Sequence, residues 1–503
     1  MTPRWLTCLL VLPVALLAGP SPEAAPPSDR KAAGALAAQH CSACHAVPAP
    51  DVLPRAAWRA SMEKMAILLE GKTIPGWGQP PPKVALSPEY QQILADYEAR
   101  APETLPPPDP WPAPDATARF ERRSLGFAAA LTEEPGVSNV LIDDADGDGR
   151  ADILATDMRQ GVVLQVKESN AGAIASVPNP AHVALADLDG DGRRDLLVSD
   201  LGQFFPGDHE RGAVAWARGI AGGFAPAVRW DGFPRVADAE AGDFDADGKP
   251  DVAVAAFGWR LKGNVTVMMN RTSDWSRPAF DRVVVDPRPG AVAVSVLDLD
   301  GDKRLDVVAY VSQEHEQVVA YLGDGKGAFR TQVLYKAPHP NWGSTGLTAV
   351  DLDRDGDTDL LATNGDMFDD DLLKPWHGIV WLENKGKLRF EARTLAHLAG
   401  VHKAVAADLD GDGDLDVAAC ALTGAVKRDV AAKLPSLVWL EQVKSGRFEK
   451  RTIEVGNPVH ATLAAGDVDG DGDIDLVTGT LALFGKSTAW LDVWENKGAP
   501  KAH

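Results

Sequence analysis

Residues 401–421 read VHKAVAADLDGDGDLDVAACA. Two apolar runs flank the nonamer Asp408–Asp416, which has the form D-x-D-x-D-G-x-x-D. Six related copies begin at Asp144, Asp187, Asp243, Asp298, Asp351 and Asp467, at intervals of 43 to 59 residues. A period of that length marks an array of similar supersecondary units, not one irregular core. The flanks repeat as well. An apolar strand precedes each nonamer (HVALADLD, TAVDLD) and a β-rich run follows it (DLLVSD, DVVAYV, DLVTGT). A third strand carries an aromatic residue (VAWARG, IVWLENKG, LVWLEQ, LDVWENKG), and a fourth reads RFEARTL or RFEKRTI. Four short strands per unit predict propeller blades.

The ends of the array set its closure. The last unit stops at VWENKG without a fourth strand, whereas Arg119–Leu125, RFERRSL, matches RFEARTL and RFEKRTI far upstream. The expected fold class is therefore mainly β. Residues 119–497 form a seven-bladed β-propeller in which the N-terminal strand completes the last blade, leaving no open sheet edge. A small all-α domain precedes it.

The nonamers also carry chemistry. Carboxylates at positions 1, 3, 5 and 9, with the carbonyl of position 7, suit a hard cation that takes oxygen ligands, calcium above all. The ligand sets are Asp144, Asp146, Asp148 and Asp152; Asp187, Asp189, Asp191 and Asp195; Asp243, Asp245, Asp247 and Asp251; and Asp298, Asp300, Asp302 and Asp306. Asp351, Asp353, Asp355 and Asp359 follow, then Asp408, Asp410, Asp412 and Asp416, then Asp467, Asp469, Asp471 and Asp475. Glycine at position 6 supplies the positive φ of a tight turn. The fourth copy has Lys303 there, so that loop is expected to be the weakest of up to seven calcium sites. The net charge is −22, and without the 28 aspartates at positions 1, 3, 5 and 9 the remainder carries +6. The acidity thus belongs to the loops, and it argues against a nucleic-acid partner.

Upstream lies a different pattern. Arg4, the apolar run Leu6–Ala18 and small residues around Ala24 read as a signal peptide over residues 1–25, which predicts a periplasmic, secreted or cell-surface protein. That run is too short for a transmembrane helix, so none is expected in the mature chain. Cys41-Ser42-Ala43-Cys44-His45 is C-x-x-C-H, the attachment signature of haem c. Cys41 and Cys44 are the expected thioether positions, and His45 the proximal iron ligand. Residues 28–100 form the expected cytochrome c-like domain, with helices over 31–40 and 87–99 and an apolar face of Trp58, Met62, Met65, Leu68 and Leu69. Met65 is the expected sixth ligand, with Met62, His40 or an open position as alternatives. Residues 101–118, rich in proline, read as a semi-rigid tether that keeps the two cores apart. Cys420, in an apolar run, reads as a buried strand thiol.

Propeller topology puts the nonamers on one face and the remaining connections on the other. Loops on a rigid scaffold are where binding and catalysis gather. His182, Asp366, His377, His402 and His460 form the candidate site on the second face, around the channel mouth. A redox protein or small-molecule ligand is the expected partner there.

The nonamers and blade pattern over residues 119–497 resemble the FG-GAP/VCBS repeat family of calcium-binding propellers, related to the integrin α-subunit head. NGDMFDDDLLKPWHGIVWLENKG and GVHKAVAADLDGDGDLD also resemble exported bacterial proteins that join such a propeller to a c-type haem domain. In those proteins CSACH, W-x-x-x-M-x-x-M and SPEYQQILADY have counterparts. The resemblance implies the architecture more than an activity; CSACH and the short tether predict an exported electron-transfer cytochrome with a calcium-stabilised docking platform. Two alternatives are a calcium-dependent adhesion module with haem as sensor, and a redox or carbohydrate-active enzyme on the channel face. No nucleophile constellation can be assigned from residue order.

Overall fold

Seven antiparallel four-stranded sheets are arranged in chain order around one axis. The computed structural model describes residues 27–42, 45–72, 74, 84–114, 119–130, 132, 134–167, 170–483 and 487–498. The expected signal segment 1–25, with Cys8, lies outside the described residues, and so does Cys44. Among the described residues no helix is long and apolar enough to cross a membrane.

Burial is graded outward within each blade. In blade 4 the second strand, Asp306–Val311, is buried end to end, while the fourth, Phe329–Lys336, is mostly exposed. Val and Ala dominate the second strands because blades pack on both of their faces. The apolar clusters accordingly join neighbouring blades: Val267 and Met269 of blade 3 pack with Val307 and Tyr321 of blade 4.

Closure follows the expected strand exchange. Phe120–Leu125 pairs antiparallel with Leu491–Asn496 as the outer strand of blade 7, in register from Phe120↔Asn496 to Leu125↔Leu491. Phe120 and Leu125 are buried. Arg122 reaches Glu454 and Asp492, each at 2.8 Å, and so fastens the chain's start to blade 6 and to the end of blade 7.

Every first strand also carries a register shift near its start, between Val137 and Asn139 in blade 1 and at the corresponding place in the other six. Such bulges re-aim side chains. Here they turn residues 138 and 139, and their counterparts, towards the axis at one end of the channel.

Three helices precede the propeller: α1 (Pro27–Cys41), α2 (Arg55–Leu69) and α3 (Pro88–Arg100). Ser87 caps α3, its Oγ accepting the Tyr90 N–H at 3.4 Å, with Pro88 at the first turn. Trp58, Met62, Ile93, Leu94 and Tyr97 form their core. Trp58 meets Tyr97 edge-on, with ring centroids 4.6 Å apart.

The separation of cores expected from the tether does not hold. Leu372 and Trp376 of the propeller pack on the helical core, and Ile67 and Ile74 share a cluster with Trp259. The tether is docked too: Trp111 Nε1 donates to His397 O at 2.9 Å and Thr452 Oγ1 to Pro112 O at 2.7 Å. Apolar surface on α2 exceeds what three helices can bury among themselves, so the propeller supplies the rest.

Candidate functional site

Each Asp-rich loop is built on one set of bonds. The N–H of position 6 donates to Oδ2 of position 1: Gly149 to Asp144 at 2.9 Å, Gly192 to Asp187 at 2.9 Å and Gly472 to Asp467 at 3.0 Å, for example. This turn needs a positive φ, and Lys303 adopts it (φ 68°), donating to Asp298 Oδ2 at 2.8 Å. The Lys303 loop therefore has the same shape as its neighbours. Position 4 is left-handed as well, at Ala246 and Arg354 as at the glycines of the other five loops.

In at least five loops, three carboxylates bring oxygens within 4.8 Å of one another: Asp144, Asp146 and Asp152; Asp187, Asp189 and Asp195; Asp243, Asp245 and Asp251; Asp298, Asp300 and Asp302; and Asp351, Asp353 and Asp355. Oxygen-only donors so close together are suited to calcium.

The position-9 aspartate has a second role. Asp195 Oδ2 accepts from Leu188 N at 3.0 Å and Trp216 Nε1 at 2.8 Å, while its Oδ1 accepts from Gly219 N at 2.7 Å. Asp359 repeats this with Leu352 N, Trp381 Nε1 and Asn384 N. It thus ties the loop to the third strand. Burial pushes the Asp251, Asp306 and Asp359 carboxyls up to about 6 and Asp416 to about 7, although backbone N–H groups oppose the rise. Two loops also face an arginine that composition does not reveal. Arg218 pairs with Asp189 and Asp191, and Arg271 Nη1 lies 2.7 Å from Asp245 Oδ2.

At the opposite end of the channel, the helices lie over the mouth and border a partly open cavity of about 680 Å³. One wall holds His40, Cys41, His45, Met65 and Leu68; the other holds the bulge residues of all seven blades with the loops at 201–206, 257–261 and 366–374. Aligned by register, one ring at the mouth is Asn139, His182, Asp238, Ala293, Gly346, Lys403 and Thr462. The cap is held by Lys64 Nζ, which donates to Asp369 O at 2.9 Å, and by a bridge from Arg260 to the Asp369 side chain that anchors the same loop.

On the helical wall, His45 Nδ1 donates to Ala46 O at 2.8 Å, which leaves Nε2 as the ring's free donor to a metal. Trp58 Nε1 donates to Pro50 O at 2.8 Å and Tyr97 Oη to Pro48 O at 2.9 Å, so the segment after the C-x-x-C-H motif is pinned by buried bonds. Cys41 is buried, and burial raises its thiol pKa. Met65 lines the cavity, whereas Met62 is enclosed in the helical core. His40 lies on the wall, 5.5 Å from the Tyr90 ring.

The five second-face residues separate into two groups. His182, Asp366 and His402 line the cavity. His377 and His460 are fully buried behind it, which corrects their expected place at the mouth. His460 Nε2 bonds Glu454 Oε2 at 2.7 Å, and His377 Nδ1 faces Gly400 N at 3.5 Å, so both serve loop packing. His182 Nδ1 lies 2.8 Å from Asp238 Oδ1. Burial works against its protonation, but Asp238 prevails and raises its pKa. Burial drives His402 down to about 4 and Asp366 up to about 6, the latter with help from Asp369. Below the ring, burial and Asp238 carry Glu240 to about 7.

Asp238, Glu240, Lys403, Arg235 and Arg260 were not singled out by sequence reasoning. The signal for Asp238 and Lys403 was present: aligning the blades on their nonamers gives residues 182, 238 and 403 the same position in their blades.

The model of the FG-GAP-like repeat matches residues 144–198, 243–309 and 298–362, each match beginning at the first aspartate of a nonamer. The chain is thus a seven-bladed propeller with Asp-rich loops, within which residues 144–198 and 243–362 match the FG-GAP-like repeat. Two crystal structures of BBS1N in complex with ARL6DN, one soaked with lead and one with mercury, are similar to it with a TM-score of 0.45. They are 10% and 11% identical, covering 77% and 76% of this chain and 98% and 99% of theirs. No curated protein matches the chain.

Proposed function

We propose that this protein is an exported c-type cytochrome that passes single electrons, its one covalent haem lying in the cavity between the helices and the channel mouth. The observation that carries the reading is the meeting of Cys41, His45 and Met65 on one wall of a cavity of about 680 Å³. That size is within the range of cofactor pockets, about 300–1,000 Å³. Cys41 and Cys44 would hold the group covalently, and His45 Nε2 and Met65 Sδ would supply donors to its iron. Haem supplies one-electron redox chemistry, at a potential set by those donors and by exclusion of water. The Nδ1–H bond to Ala46 fixes the His45 ring, and the propeller loops carrying Phe204, Phe257 and Trp259 keep the site dry.

The propeller is then half of the cofactor pocket as well as a platform. Its second face, expected to receive a partner, is taken by the chain's own helices; a redox protein would approach at the seam between them. Calcium fills the Asp-rich loops, and the arginines beside Asp189 and Asp245 compete with it in blades 2 and 3, as Arg304 beside Asp302 does in the Lys303 loop. Export rests on the segment 1–25, and the acidic surface leaves no place for nucleic acid. The test is a potentiometric titration of the full chain followed in the visible. A reversible one-electron transition with c-type bands, absent in Cys41→Ser/Cys44→Ser, is expected; a wild-type chain without those bands overturns the reading.

His182 and Asp238 favour a second reading, in which the cavity also admits a substrate for oxidation. An imidazole oriented by a carboxylate is a general base in form. Loss of substrate turnover in Asp238→Asn, with the haem spectrum unchanged, is its signature.

A further inference from the structure

Arg235 precedes the first strand of blade 3 and lines the cavity. It is 6% exposed. Its Nη1 makes one long bond to Gly258 O at 3.5 Å, its Cζ lies 5.7 Å from the Phe257 ring centroid, and its Nε has no partner. Among the described residues no carboxylate pairs with it: burial alone moves its pKa, down to about 10, so it is still charged at neutral pH. Of the other cations on this wall, Lys403 is half-buried and donates to Leu347 O at 3.4 Å, and two are paired. Arg260 is bridged to Asp369, and Lys374 Nζ lies 3.1 Å from Asp370 Oδ2. Asp208 Oδ1 accepts the N–H groups of Arg260, Leu261 and Lys262. A guanidinium this buried without a counter-charge is strongly unfavourable unless a ligand brings one.

The surroundings define that ligand. Phe204, Phe257, Trp259 and Met65 make the cavity largely apolar around Arg235, while Asp238 and Asp366 on the same wall disfavour a dianion. We propose that Arg235 is an anion site and that the cavity takes a ligand with an apolar body and a single carboxylate at this guanidinium. Arginine receives a carboxylate through two parallel N–H bonds, and its unused Nε is one of the two donors that geometry needs. The carboxylate has two chemical sources: a propionate of a haem held at Cys41, or a free apolar carboxylic acid. The inference extends the haem reading without depending on it.

The full chain carrying Cys41→Ser and Cys44→Ser, prepared without haem, is titrated calorimetrically with haem, haem dimethyl ester and octanoate. The same titrations are made after Arg235→Met. With a propionate at Arg235, haem binds at least about tenfold more tightly than its ester, and Arg235→Met removes the difference. With a free acid there, octanoate binds and Arg235→Met weakens it about tenfold or more, whereas haem and ester behave alike. Should Arg235→Met not fold by circular dichroism, Arg235→Lys replaces it; charge without the planar fork gives a smaller loss in the same arm. Failure of haem to bind, with octanoate binding still dependent on Arg235, overturns the haem reading and keeps the anion site. If neither haem-over-ester preference nor octanoate binding changes in the Arg235 variant, the anion site is wrong.

Discussion

Lys303 stands where six loops have glycine and holds the same left-handed backbone. A side chain in that conformation costs about 1–2 kcal/mol. Lys303→Gly is therefore expected to raise stability by roughly 1 kcal/mol in urea unfolding with a chelator present; no gain would mean that this loop relaxes in solution. The substitution was legible in the sequence, but its consequence was not, because Lys303 N keeps the bond to Asp298 that defines the turn. Glu316 is a second informative residue. It is buried, accepts from Gly343 N and Ser344 N at 3.1 Å each, and burial lifts its pKa to about 8. The folded state then holds a proton that the unfolded chain releases above about 4.5. Its contribution to stability is complete below that pH and is lost as pH rises through about 8. Glu316→Gln should flatten this decline, by at most about 1.4 kcal/mol per pH unit, in melting curves between pH 5 and 8. A parallel pH profile for variant and wild type would show that Glu316 ionises freely. Nothing in the local sequence marks this glutamate as buried, since its burial comes from blade 5.

Among elements, the closing strand was the most legible, because RFERRSL repeats a pattern found twice elsewhere in the chain. Leu125→Ala removes a buried side chain from blade 7, and a loss of about 2–4 kcal/mol is expected in denaturant unfolding. A loss below 0.5 kcal/mol would mean that blade 7 stands without its exchanged strand. The first-strand bulges were not read, because a register shift is a relation between two strands and leaves no fixed residue type behind. Their effect is nevertheless what turns Asn139, His182, Asp238 and Lys403 into one ring. The attachment of the cap is another long-range relation: Arg260 and Asp369 come from different blades, and Lys64 from α2. Asp369→Ala should loosen α2 and increase proteolytic cleavage between residues 55 and 72. Unchanged cleavage would assign the cap's attachment to the apolar contacts of Trp259 and Trp376 alone.

For the whole molecule, the charge of −22 is concentrated on one face and the cavity lies at the other end of the channel. A loop with calcium at 100 times its dissociation constant contributes about 2.7 kcal/mol, so chelation should lower the melting temperature markedly. Seven blades, their closure and the acidic face were readable because each repeats locally. The cap over the channel mouth was not, since it arises from apolar surface that neither the helices nor the propeller covers alone. His377 and His460 were misplaced for a related reason: loop composition locates a residue on a face, and packing decides whether it reaches the opening. The central claim is that haem occupies a pocket shared by both parts. Hydrogen exchange of the haem-loaded chain against Cys41→Ser/Cys44→Ser tests it most directly. Slower exchange is expected both in residues 45–72 and in the propeller loops 201–206, 257–261 and 366–374. Slowing confined to the helices, or none at all, would contradict it.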